Sequence, residues 1–85
     1  MTEEFVVILF YKFVHLSDPK EVCERHRAIC TELGLLGRVL VASEGINATL
    51  EGTKSSIDEY KKWLSGEDLF SDIVVKESKG DGMSF

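Results

Sequence analysis

The stretch that most constrains this chain is Phe5-Val6-Val7-Ile8-Leu9-Phe10-Tyr11, which runs on through Lys12-Phe13-Val14. It is β-branched and aromatic and barely interrupted by polar residues. A half-exposed strand alternates apolar and polar positions, and this one does not. Near-continuous apolar sequence predicts a central strand covered on both faces. The run is far too short to span a bilayer, and the acidic Glu3-Glu4 before it is the wrong charge for a signal peptide. With 85 residues, 44% of them hydrophobic, and a single proline, the chain makes one ordinary globular domain with a small core and a thin stability margin.

Ser17-Asp18-Pro19 starts a helix, with Ser17 or Asp18 as N-cap and Pro19 in the first turn. Val22, His26, Ile29 and Leu33 then recur at helical spacing, flanked by Cys23 and Cys30, until Gly34 stops the helix, so it covers residues 19–33. Leu36–Ala42 reads as a second strand, Ser43-Glu44-Gly45 as a turn in which Gly45 takes a positive φ, and Asn47–Glu51 as a third, shorter strand paired with the second in a hairpin. A second helix opens around Gly52–Ser56, where Ser55 with Asp58 and Ser56 with Glu59 have capping-box spacing. Its stripe is Ile57, Tyr60 and Leu64 with Trp63 beside it, and Ser65-Gly66 ends it. Asp72–Glu77 reads as a fourth strand, and the tail from Gly80 to Phe85 has no regular pattern.

The order β-α-β-β-α-β predicts an α+β domain of the ferredoxin-like, split βαβ kind. That is a four-stranded antiparallel sheet with both helices on one face and the first and third strands central. The layout has a consequence for the first strand. Its two alternating sets, Phe5, Val7, Leu9, Tyr11, Phe13 and Val6, Ile8, Phe10, Val14, cannot both lie under the helices. Either the uncovered face docks against another domain or subunit, as contiguous exposed apolar patches do, or the tail folds back over it through Met83 and Phe85.

Chemistry-bearing constellations are sparse. Cys23, His26 and Cys30 share one helical face, but structural zinc wants four ligands and the stripe is the core-facing one. No metal or cofactor is expected. The two cysteines lie seven residues apart, about 10 Å along a helix, beyond the ~7 Å that a disulfide spans. Two lone thiols suit a reducing, cytoplasmic compartment. A thiol nucleophile would need exposure and a lowered pKa, so no catalytic residue is assigned. Acylphosphatases share this layout but resemble a Gly-rich phosphate cradle with an Arg after the first strand, and Val14-His15-Leu16-Ser17-Asp18 has neither. RNA-recognition motifs need an aromatic, basic third strand, and Asn47-Ala48-Thr49-Leu50-Glu51 has no aromatic residue and ends acidic. A net charge of -5 argues against tight autonomous binding to phosphates, which takes Lys and Arg to displace counterions. It leaves room for a local patch or for a domain that assists a more basic neighbour.

The segment Gly34-Leu35-Leu36-Gly37-Arg38-Val39-Leu40-Val41-Ala42-Ser43-Glu44-Gly45-Ile46-Asn47-Ala48-Thr49 resembles the G-L-x-G-R-(I/V)-x-(V/L)-A-x-E-G-I-N-(G/A)-T motif of a family of rhodanese-related proteins, the oxygen-dependent tRNA uridine hydroxylases. The resemblance extends to Phe10–Val14, to Cys30 before the Glu32-Leu33-Gly34-Leu35 turn, and to Lys76-Glu77-Ser78 with Phe85. It implies an N-terminal accessory domain, inactive alone, that positions tRNA or supports a rhodanese-like domain, with tRNA reached through the parent protein. The family's catalytic cysteine lies in that later domain, so nothing here matches it and the chain resembles an excised N-terminal domain or a stand-alone relative. Lys12, Arg38, Glu44 and Asn47 are the candidate tRNA or interdomain contacts. A purely structural role for the motif stands beside that reading, with Glu44-Gly45 making the tight turn and Asn47 bonding the turn backbone. A small protein-interaction module is a further alternative.

Overall fold

A computed structural model describes residues 4–80. The first strand, β1, is Phe5–Phe13, followed by α1 at Pro19–Leu33, β2 at Leu36–Ala42, β3 at Gly45–Thr53, α2 at Lys54–Ser65 and β4 at Lys76–Gly80. The strands form one antiparallel sheet in the order β2-β3-β1-β4. This is the ferredoxin-like arrangement that the element order implies, with β1 and β3 central. All nine residues of β1 pair with β3, from Phe5 with Thr53 to Phe13 with Gly45, and Phe5–Leu9 also pair with β4.

Both helices cover one face. Of the two sets on β1, Ile8 and Phe10 are the ones sealed beneath them, with Val6 and Val14 packed at the margin. Ile46, Ala48 and Leu50 of β3 complete the sheet side of the core, and Val22, Ile57, Tyr60 and Leu64 close it from the helices. Complete burial of a side chain such as Phe10 or Ile57 contributes about 2–3 kcal/mol of transfer free energy. A core this small rests on few such residues.

Local chemistry sets the helix ends. Asp18 is the N-cap of α1 and accepts from the Glu21 N–H at 3.1 Å, with Pro19 behind it in the first turn. Gly34 closes the helix, and the N–H of Leu35 reaches the Cys30 carbonyl at 2.9 Å.

Three expectations change. The third strand runs from Gly45 to Thr53, well beyond Asn47–Glu51, because β1 offers nine residues to pair against. That extension moves the second helix cap. Thr53, still extended, takes the Ser56 N–H at 3.3 Å, and neither Ser55 nor Ser56 is the cap. The last strand starts at Lys76 rather than Asp72. The residues before it are spent on a turn that sinks Phe70 into the core, with Phe70 N–H on the Glu67 carbonyl and Ile73 N–H on the Phe70 carbonyl. Ile73 and Val75 pack against the core from this turn, outside the ladder. The expected tail contact through Met83 and Phe85 lies outside the described residues.

Candidate functional site

The face away from the helices is laid out by register. Leu40, Asn47 and Tyr11 form one row across β2, β3 and β1, with Ala42, Gly45 and Phe13 in the row nearer the hairpin. On the other side lie Arg38, Thr49, Leu9 and Lys76, and then Leu36, Glu51, Val7 and Ser78. Exposure rises towards the hairpin: Phe5 is 38% and Leu9 43% exposed, against 64% for Tyr11 and 83% for Phe13. The two rings meet edge to face, centroids 5.9 Å apart. The face is therefore neither wholly polar nor wholly apolar. An apolar row on β1, and Leu36, Leu40 and Ala42 with Arg38 among them on β2, flank a middle strand that contributes Asn47, Thr49 and Glu51.

A groove of about 250 Å³ opens at the hairpin end, lined by Tyr11, Phe13, Leu40, Glu44 and Asn47 among others. Gly45 lies at its base with φ +154°, and a Cβ there would strike the Lys12 carbonyl. Gly37 sits equally close to the Thr49 carbonyl, with φ +125°. Both motif glycines thus let backbone approach backbone where any side chain would intrude. The Glu44 carbonyl accepts from the Val14 N–H at 3.0 Å, and the Ser43 hydroxyl donates to the Glu44 carboxylate at 3.1 Å. These bonds fix the hairpin tip against the end of β1.

The structure brings three of the four candidate residues together. Arg38 and Asn47 are exposed on the open face, and Glu44 stands at the rim of the groove. Among the described residues Asn47 makes no side-chain bond to the turn. Strand alternation carries its amide onto the open face instead, beside Leu40 and Tyr11. Lys12 is separate from the other three. It alternates to the helix side, where its ammonium donates to the Leu69 carbonyl at 2.7 Å and to Asp72 at 2.5 Å. That hydrogen bond and charge hold the Asp72 carboxyl below its usual range, and the clip ties the Phe70 turn to β1. Sequence reasoning left Tyr11 and Phe13 unassigned, because alternation alone does not say which set faces out. It also missed Glu51, which is fully buried although it alternates to the open face, close beneath Gly80.

Of the Cys23, His26 and Cys30 stripe, His26 lies in the core, Cys30 packs against it and Cys23 is half-buried. His26 is fully buried, its Nδ1 3.1 Å from the Tyr60 hydroxyl and its ring perpendicular to Trp63 at 4.9 Å. Burial, with the nearby Arg25 charge, pulls its pKa down to about 4, and burial pushes the Cys30 thiol up to about 11. Among the described residues no group of three His, Cys, Asp or Glu side chains could hold a metal, and no helix is long and apolar enough to cross a membrane.

Residues 5–85 match the family model described as the UPF0176 acylphosphatase-like domain. The chain belongs to that family. Whole proteins that contain a similar segment include the tRNA uridine(34) hydroxylases of Bacillus licheniformis, 40% identical over 85 residues, and of Bacillus velezensis, 39% identical over the same length. The Staphylococcus carnosus protein of that name is 39% identical over 82 residues. The alignments with the two Bacillus proteins take in 100% of this chain and 26% of those relatives, so the chain spans about a quarter of their length and corresponds to their N-terminal domain. Among solved structures, BlrB, a BLUF protein in its dark state, superposes with a TM-score of 0.71 at 24% identity, over 94% of this chain and 64% of that one. That likeness establishes the ferredoxin-like fold alone.

Proposed function

We propose that this chain is the accessory N-terminal domain of a cytoplasmic, oxygen-dependent tRNA wobble-uridine hydroxylase, and that it positions tRNA through its open sheet face while a rhodanese-like domain carries the chemistry. The observation that carries the reading is the bare Tyr11 and Phe13 pair on a face whose middle strand is polar. An obligate subunit interface resembles a core cut in half, and this face is more mixed than that. Here exposed aromatic rings alternate with an amide, a hydroxyl and the Arg38 guanidinium, the mixture that stacks on and hydrogen-bonds single-stranded nucleic acid. The relatives' name supplies the RNA. The net charge of -5 makes the expected grip weak, with most phosphate contacts left to the rest of the enzyme.

No catalysis is assigned to these residues. Cys30 is held as a protonated thiol and His26 is a neutral core ring bonded to Tyr60, the opposite of an activated pair.

The test is heteronuclear NMR on the labelled chain titrated with unmodified tRNA. Signals of Tyr11, Phe13, Arg38 and Asn47 should shift, and those of α1 and α2 should not. If tRNA leaves the face unmoved while a purified rhodanese-like domain shifts it, the face is an interdomain joint and the proposal fails. Hydroxyuridine made by the chain alone would overturn the non-catalytic role.

A further inference from the structure

The hairpin-end groove has more detail than a generic RNA surface requires. From it we infer a subsite for one unstacked nucleobase of single-stranded RNA, a reading that rests on the tRNA-positioning role above.

The groove, about 250 Å³, has room for one planar base. Its apolar wall is Tyr11 and Phe13, edge to face and both more than half exposed. Opposite them Leu40 supplies a flat aliphatic surface. Between these walls stands Asn47, in register with both Tyr11 and Leu40. Its amide carries an acceptor and a donor side by side. Any base edge with a donor next to an acceptor matches that pair bond for bond, the imide edge of uracil and the N6–N7 edge of adenine included. The carbonyl of Asn47 takes the base's N–H, and its amino group donates to the neighbouring acceptor of the base.

The two charges on the face orient the rest of the nucleotide. Glu44 at the rim is acceptor-only and repels phosphate from the hairpin tip. Arg38 lies on the same face of β2 as Leu40, two residues along, about 7 Å at strand rise. That separation is near the distance from a base to its own phosphate, so the backbone would leave the groove along β2 towards Arg38. Lys12 takes no part, since Asp72 and the Leu69 carbonyl hold its ammonium on the other face.

The experiment is fluorescence anisotropy of the purified chain with three labelled hexamers of equal charge: oligouridylate, oligoadenylate and an abasic hexamer. Oligouridylate and oligoadenylate should each bind at least tenfold more tightly than the abasic strand. Stacking on one ring is worth a fold-change of about 5 to 150 on truncation to alanine, so Phe13→Ala should weaken oligouridylate by that order. Thermal melting of this variant should be unchanged, because the ring is bare. Asn47→Ala should weaken both base-bearing strands and leave the abasic strand unchanged. Arg38→Ala should weaken all strands alike and lower the salt slope by about one.

Equal affinity for the abasic strand, or no effect of Phe13→Ala where Arg38→Ala acts, would overturn the base subsite and leave the tRNA-positioning role standing. Absence of any hexamer binding at millimolar chain, with tRNA still bound, would do the same. Loss of tRNA binding as well would sink both.

Discussion

Replacing His26 with glutamine separates its titration from everything else in the core. The ring is fully buried among Tyr60, Trp63 and Phe70, with Nδ1 on the Tyr60 hydroxyl. Burial and the Arg25 charge lower its pKa from 6.5 to about 4 in the fold. Between those values the unfolded chain binds a proton that the folded chain does not, so stability rises with pH across the window and is lost as pH falls through it. At about 1.4 kcal/mol per tenfold, the loss from neutral pH down to pH 4 is about 3 kcal/mol. Neither the Tyr60 hydroxyl, raised from 10.0, nor the Cys30 thiol, at about 11, titrates in that window. A domain of this size with a total stability near 5–10 kcal/mol would lose about 10–20 °C of Tm from that single group. Carboxylates also protonate on the way down, so the measurement is a difference. Urea unfolding followed by Trp63 fluorescence at pH 7, 5.5 and 4 gives a stability profile for the native chain and for His26→Gln. The native profile should fall about 3 kcal/mol more steeply, by the linkage above. Two parallel profiles would mean that His26 titrates freely, and the buried neutral ring would be wrong.

Two further expectations check the placement of residues. Gly45→Ala should destabilise by at least about 2 kcal/mol, because the added methyl meets the Lys12 carbonyl at a φ of +154°; an unchanged midpoint in urea would refute the close approach of β3 to β1. Phe10→Ala should cost about 3–5 kcal/mol and Phe13→Ala less than about 0.5 kcal/mol, since Phe10 is 1% and Phe13 83% exposed. A larger loss for Phe13→Ala than for Phe10→Ala in chemical unfolding would mean that the two faces of β1 are assigned the wrong way round.

Much of the fold was legible because its signals are local. The Asp18-Pro19 start and the Gly34 stop of α1 need no tertiary information, and the hydrophobic run of β1 announces a central strand. What misled was competition between local propensity and packing. Ile73-Val74-Val75 has strong strand character, yet Phe70 anchors the turn before it and Lys12 holds Asp72, so pairing with β1 begins only at Lys76. Likewise Ser55 and Ser56 look like caps until β3 is seen to reach Thr53. The candidate site was half legible. The motif flagged Arg38, Glu44 and Asn47, and register puts Arg38 and Asn47 on the open face with Glu44 at the rim beside it. Lys12 was drawn in by its charge and its place next to them in the sheet, but parity in a strand sends it to the other face.

That parity also explains why one strand can be apolar on both sides without contradiction. The set Val6, Ile8 and Phe10 is consumed by the core beneath the helices. Tyr11 and Phe13 add nothing comparable to stability, since rings more than half exposed bury little area. Leaving them bare carries a cost in solubility and an aggregation hazard. Rings that contribute so little burial give no folding reason to keep aromatic rather than polar residues at those two positions. The motif glycines point the same way: Gly45 draws β3 hard against Lys12 and so places Asn47 level with Tyr11. The hairpin end is thus shaped by residues that bring rings and amide into one groove, and folding alone does not require them there.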